Sequence, residues 1–256
     1  MSEQPVIDIS GFFKSFSIGS LTVPIYFLIP SFAFIICLFW LVKRAERRHL
    51  SRNRALDLSL VLMVCGFLFA RLFHVFFEEP AYYAEDPMRV FDLWRGGFVW
   101  YGGALFGALG AVLFLKWKRE PIGRWLDLFA PLAAGGYAMG RLACLCVGCC
   151  YGKTFAIGEH IIRHPTQLYS SLLEALTLVV LLWQEKHLKL REGELFVRWV
   201  LLHSINRLIV EQFRDDPRGP MLLGFSIATW ISLALILAMG SVTFMGERKG
   251  KVVKNS

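Results

Sequence analysis

The chain has 256 residues, of which 55% are hydrophobic and 19% charged, with 28 Lys+Arg against 20 Asp+Glu and a formal net charge of +8. A soluble domain is typically about 45–50% apolar and about 25% charged, so this balance, with Phe alone at 22, excludes disorder, collagen, a coiled coil and a small disulfide scaffold, and argues against an ordinary soluble enzyme. Nor does the basic excess mark a nucleic-acid partner, because the Lys and Arg cluster at the ends of apolar blocks and form no stripe.

A membrane span needs about 20 mostly apolar residues. Seven segments are read this way: 21–42, 58–77, 97–115, 126–147, 168–183, 195–213 and 221–239, the fifth being short. Residues 1–19 carry Glu3 and Asp8 and lack the basic start of a cleaved signal peptide. Connections 43–54, 116–124 and 184–194 and the tail 246–256 hold 17 of the 28 Lys/Arg, whereas the alternate connections hold Glu78, Glu79, Glu85, Asp86 and Asp92, then Asp215 and Asp216. By the positive-inside rule, the expected fold is one all-α membrane-embedded domain over 1–256, with seven transmembrane helices, the N-terminus outside and the C-terminus cytoplasmic.

The first span carries Tyr26 and an isolated Cys37; the second carries Cys65 and Arg71. Residues 86–97 read as a short amphipathic segment at the outer surface. In the third span Tyr101 sits, like Tyr26, roughly 6–8 Å below the outer face. Gly103, Gly107 and Ala111 there, and Gly136 and Gly140 in the fourth span, have the spacing that lets helices pack closely. Arg141 follows at roughly 22 Å into a core about 30 Å thick, with Arg71 at about the same level and Arg207 at about 18 Å. An intramembrane charge is costly and points to function. On the sixth span His203, Arg207, Glu211 and Arg214 fall on one helical face. Arg207 and Glu211 can form an i,i+4 structural ion pair. Alternatively, three Arg against one Glu make an anion site, since guanidinium suits phosphate, and the anion available at that depth is a phospholipid head group; Glu211 would then orient an Arg or act as a base. His164, in the loop 151–167, reads either as a structural histidine or as a member of this site.

Four cysteines, Cys144, Cys146, Cys149 and Cys150, close the fourth span. They admit three readings: small side chains filling a helix end, a redox pair with C-x-x-C spacing at Cys146 and Cys149, or a metal site with His164 as a further ligand.

WRGGFVWYGGALFG (94–107), GRLACLCVGCCYG (140–152), RHPTQLY (163–169) and INRLIVEQFRDDP (205–217), together with Tyr26, resemble the prolipoprotein diacylglyceryl transferase family in order and spacing from about residue 20 to residue 240. The resemblance implies a multi-pass enzyme of the bacterial inner membrane with its site facing the outer leaflet. It implies transfer of a diacylglyceryl group from phosphatidylglycerol to the lipobox cysteine of a prolipoprotein, with release of glycerol-1-phosphate. It implies Tyr26, Arg141, Gly152, Arg207 and Glu211 as functional positions, and Gly102 and Gly103 as motif backbone. Tyr101 stands where the family usually has a histidine, Cys144 and Val147 where it has Asn, Cys149 and Ser170 where it has Glu, and His203 where it often has Tyr. The expected site therefore comprises Glu211, Tyr101, Tyr26 and His164 for catalysis and Arg141, Arg207, Arg214 and Arg71 for phosphate, with no metal or soluble cofactor required by the chemistry. The alternative is a diverged member that uses another acceptor, or one that binds lipid without turnover.

Overall fold

The structure is a computed structural model and describes residues 6–18, 21–93, 97–158, 160–216 and 221–254. Helices α1 (Ile25–Arg47), α2 (Arg52–Phe73), the short α3 (Pro80–Glu85), α4 (Trp100–Trp117), α5 (Ile122–Val147), α6 (Thr166–His187), α7 (Glu194–Glu211) and α8 (Ile227–Lys254) follow in order, and each except α3 overlaps a predicted span. Among the described residues, four stretches are long and apolar enough to cross a membrane: Leu28–Arg47, Arg52–Glu78, Ile122–Val147 and Thr166–His187. Gly102–Trp117 and Ile227–Thr243 are apolar but shorter, and α7 carries Glu194, Arg198, Arg207 and Glu211. Side chains such as Phe32, Phe39, Leu105, Leu172 and Val179 lie outward and exposed, as a surface that meets lipid requires.

The all-α expectation needs one correction. Strand β1 (Val6–Ile7) pairs parallel to β5 (His160–Arg163), and β5 pairs antiparallel to β4 (Thr154–Ile157). The loop 151–167 is thus largely a hairpin, built from β-branched and aromatic residues around Gly158 at φ 58°. The first predicted span opens in strand β3 (Leu21–Pro24), paired with β2 (Ser15–Ile18). The seventh opens in a hairpin of β6 (Met221–Leu222) and β7 (Phe225–Ser226). Leu223 and Gly224 both have positive φ there, the geometry of a two-residue hairpin turn. Hydropathy windows register none of this, because a short apolar hairpin scores like a helix end.

The chain forms two compact units. In Leu41–Ile122, α2 packs on α4 through glycine: a Cβ at Gly103 would lie 2.8 Å from the Gly66 carbonyl oxygen, and one at Gly102 2.5 Å from Phe73 Cγ. Phe69 stacks on Phe106 at 4.2 Å beside this approach. The Gly103 spacing is therefore close helix packing, whereas a Cβ at Gly140 would meet nothing within 4 Å. A 3-10 turn, Pro87–Phe91, occupies the segment expected to be amphipathic.

The other unit comprises Met1–Trp40 and Gly123–Ser256. Its core gathers Ala130 and Ala134 of α5, Leu181 of α6 and Leu195 of α7, with Phe196 and Trp199 against them. Buried Asp127 accepts backbone N–H groups from Gly193 at 2.7 Å and Phe196 at 3.1 Å. A carboxylate from α5 thus satisfies donors that the first turn of α7 leaves unpaired and fixes where α7 starts. That fixes the register of the charged residues farther along it.

Candidate active site

Residue 141 of α5 and residues 207 and 211 of α7 are held by each other and by side chains from two other positions, Tyr137 and Ser226. Arg141 Nη2 donates to the Tyr137 hydroxyl at 2.6 Å, and the guanidinium lies 4.6 Å from the Tyr137 ring centroid. Arg207 Nη1 donates to Glu211 Oε2, with both side chains largely buried. The second Glu211 oxygen accepts the Ser226 hydroxyl at 2.6 Å. Both Glu211 oxygens are thus engaged. Beyond α7, Arg214 forms a two-pronged pair with Asp216, Nε to Oδ1 at 2.8 Å and Nη2 to Oδ2 at 2.6 Å. Arg207 lies within the Coulombic reach of both Arg214 and Arg141, and Arg214 within that of Arg141. Three cations from two helices and a loop therefore converge. Two are matched by carboxylates, while Arg141 has, among the described residues, a neutral phenol as its hydrogen-bond partner.

The expected single face of α7 does not hold throughout. The helix ends at Glu211, and Arg214 is placed by a strand-like bridge to Gly152. A Cβ at Gly152 would lie 2.6 Å from the His164 carbonyl oxygen and 2.7 Å from that of Phe213, so only glycine lets these three backbone segments meet. His203 turns from the arginines to Glu174 of α6, Nδ1 to Oε1 at 2.8 Å. Asn206 also reaches Glu174 and donates to Thr177 Oγ1 at 2.9 Å. The Tyr137 and His203 rings meet edge to face at 4.8 Å. Packing of these rings connects the Glu174–His203 pair to the Tyr137–Arg141 pair, without a hydrogen bond between the two rings among the contacts of the described residues. Tyr137, Glu174, Asn206 and Ser226 were not among the residues expected from sequence. Glu174 lies inside the predicted span 168–183, so the rule applied to Arg141 and Glu211 would have found it. Replacing Tyr137 with Phe keeps the ring under Arg141 and removes one hydrogen bond to a charged group, worth about 1.5–3 kcal/mol. The reaction that this cation serves, followed by product mass, is expected to slow at least about tenfold, and Tyr137→Ala to slow it further.

His164 stacks on Phe155 at 4.2 Å and its Nδ1 is 3.2 Å from the Tyr169 hydroxyl. The thiols divide differently from their C-x-x-C spacing. The sulfurs of Cys144, Cys149 and Cys150 lie within 4.8 Å of one another, a group that includes neither Cys146 nor His164. Hydrogen bonds from Cys144 and Cys149 hold the Cys150 thiol well below the usual range, with Arg214 and Arg141 acting in the same direction; hydrogen bonds with Cys144 and Cys150, then burial, push Cys149 up. Cys37 donates to the Leu132 carbonyl at 3.6 Å, a core contact.

Arg71 lies in the other unit, beside a pocket of about 490 Å³ lined also by His74, Tyr83 and Asp92. Its guanidinium donates to the carbonyls of Val90, Gly97, Arg89 and Asp92 at 2.9–3.1 Å. It pins carbonyls around the 3-10 turn, which is a structural use of its charge. The side chains of Tyr26 and Tyr101 lie outside the described residues.

Comparison with known proteins adds a family match. The model of the family described as prolipoprotein diacylglyceryl transferase matches residues 14–245. A phosphatidylglycerol–prolipoprotein diacylglyceryl transferase of Clostridium tetani is 31% identical over 207 residues, 76% of this chain and 82% of that protein. The enzyme of that name from Desulfotalea psychrophila is 30% identical over 231 residues, 83% of each chain. That from Pediococcus pentosaceus is 28% identical over 250 residues, 90% of this chain and 88% of its own.

Proposed function

The chain belongs to the prolipoprotein diacylglyceryl transferase family, and from that premise we propose that it transfers a diacylglyceryl group from phosphatidylglycerol to the lipobox cysteine thiol of bacterial prolipoproteins. In this reading the acceptor sulfur attacks the glyceryl carbon, the carbon–oxygen bond to phosphate breaks, and glycerol-1-phosphate leaves. Negative charge grows on the phosphate oxygens as that bond stretches. Preorganised guanidinium groups stabilise such charge better than mobile water does. The observation that carries the reading is Arg141, a partly buried cation paired with a neutral phenol and set beside Arg207 and Arg214. An anion that enters there meets excess positive charge and a fork of N–H donors suited to phosphate.

Arg141 and Arg207 are proposed as the phosphate ligands, with Arg214 assisting. Tyr26 and His164 are proposed to line the cleft, with Glu211 fixing Arg207; Tyr101 is proposed as a further functional position. The seven helices are proposed to cross the inner membrane with the N-terminus outside, the C-terminus cytoplasmic and the site open toward the outer leaflet. Support comes from 17 of 28 basic residues falling on alternate connections. Expression in cells depleted of their own transferase is expected to restore diacylglyceryl-modified lipoproteins. Good membrane expression with no prolipoprotein modified would contradict the assignment.

A further inference from the structure

The cluster of Cys144, Cys149 and Cys150 is built by the backbone around it. Helix α5 ends at Val147, and the chain turns back through Gly148 at φ 84° and Cys150 at φ 60°. The N–H groups of Gly148 and Cys149 both reach the Cys144 carbonyl, at 2.9 and 3.2 Å. From below, Thr166 Oγ1 donates to the Cys150 carbonyl and Gln167 Nε2 to the Cys149 carbonyl, each at 2.6 Å. Both side chains are 1% exposed. A left-handed backbone at a residue other than glycine is sparsely populated, and it persists where the surroundings over-determine it. Here it returns two thiols over a third, and all three are partly accessible. Plain core filling would need neither the strained turn nor the two buried clamps.

The spacing suits a metal. A tetrahedral thiolate site with metal–sulfur bonds of about 2.3 Å sets its sulfurs about 3.8 Å apart, and the three sulfurs here lie within 4.8 Å of one another. Three thiolates around a divalent ion leave one net negative charge, and Arg141 and Arg214 stand within Coulombic reach of Cys150 to offset it. The five donors of a guanidinium let Arg141 face both this centre and a phosphate.

We propose that Cys144, Cys149 and Cys150 bind one zinc-type divalent ion as a trithiolate, and that its open fourth position takes the acceptor thiol of the transfer reaction. The second half rests on the function proposed above. The incoming thiol displaces bound water, its proton passes to solvent, and the metal holds the sulfur as thiolate. A sulfur lone pair then forms the bond to the glyceryl carbon, and the electrons of the broken carbon–oxygen bond leave on the phosphate. Zinc keeps its oxidation state throughout. Such a centre supplies the deprotonated nucleophile without a separate general base.

The full-length chain, purified in detergent without oxygen or chelator, is expected to hold about one zinc. Its cobalt-substituted form is expected to show thiolate-to-cobalt charge-transfer absorption. Cys144→Ser, Cys149→Ser and Cys150→Ser each lose both signals; Cys146→Ser and Cys65→Ser keep them. If a serine variant aggregates, chelation of the intact protein carries the same test, because it frees three additional thiols to a thiol reagent. A lipobox peptide shifts the visible cobalt bands, and its serine counterpart does not. A chain that binds neither metal, retains metal without Cys149, or holds a disulfide among the three overturns the site. Cobalt bands unmoved by the peptide overturn its role toward the acceptor. Because none of these readouts needs turnover, a chain that binds metal yet lipidates nothing would sink the functional reading and leave the metal centre standing.

Discussion

Arg207→Ala is expected to lower diacylglyceryl transfer at least about a hundredfold, the scale seen when one preorganised charge-stabilising group is removed. Two roles compete for this residue. As a structural ion pair it would serve only to neutralise Glu211, whose side chain is 10% exposed. As part of an anion site it would act on the departing phosphate. A double-mutant cycle separates them. If the pair is structural, removing Glu211 as well relieves the uncompensated charge and restores both membrane yield and transfer. If Arg207 binds phosphate, Arg207→Ala with Glu211→Ala recovers yield but stays inactive. The second outcome is expected, because the Ser226 hydroxyl and Arg207 share the carboxylate and leave it as a positioner. Arg207→Lys is expected to recover only part of the rate, since ammonium lacks the planar fork that holds carboxylate and phosphate together.

Gly152→Val is expected to have the largest structural effect. The added side chain would enter a space bounded by the carbonyls of His164 and Phe213 and the Cβ of His164, all within 2.7 Å of a Cβ at this position. Overpacking of this kind costs about 1–3 kcal/mol, a drop of roughly 5 °C in Tm for a chain of this size. The loss should extend to the site, because the bridge from Gly152 holds Arg214. Transfer is therefore expected to fall more than tenfold even well below the unfolding midpoint. Gly140→Ala is the control: it also stands in the Gly-rich motif, yet a Cβ there meets nothing within 4 Å. Thermal unfolding in detergent should leave Gly140→Ala unchanged.

Charges within apolar windows made much of this site legible from sequence. Arg141, Arg207 and Glu211 stand out because a charge in a span needs a reason, and the structure brings them into one unit. Arg71 obeys the same rule but is spent on four carbonyls around a 3-10 turn, and hydropathy gives no sign of that turn. Glu174 was accessible to the rule and missed. The thiols misled for a geometric reason: C-x-x-C spacing pairs Cys146 with Cys149, but the helix ends at Val147 and the positive-φ turn carries Cys149 and Cys150 back over Cys144. Tyr137 carried no signal, since a tyrosine one turn before Arg141 reads as an ordinary aromatic until the hydroxyl is seen 2.6 Å from the guanidinium.

The most direct test places purified chain, phosphatidylglycerol and a lipobox peptide in one detergent reaction and follows both products. The chain should yield glycerol phosphate and the diacylglyceryl-bearing peptide in equal amounts, with neither formed when the peptide cysteine is serine, and both lost in Arg141→Ala. Transfer that continues undiminished in a folded protein lacking Arg141 and Arg207 would contradict the convergence of guanidinium groups on the lipid phosphate.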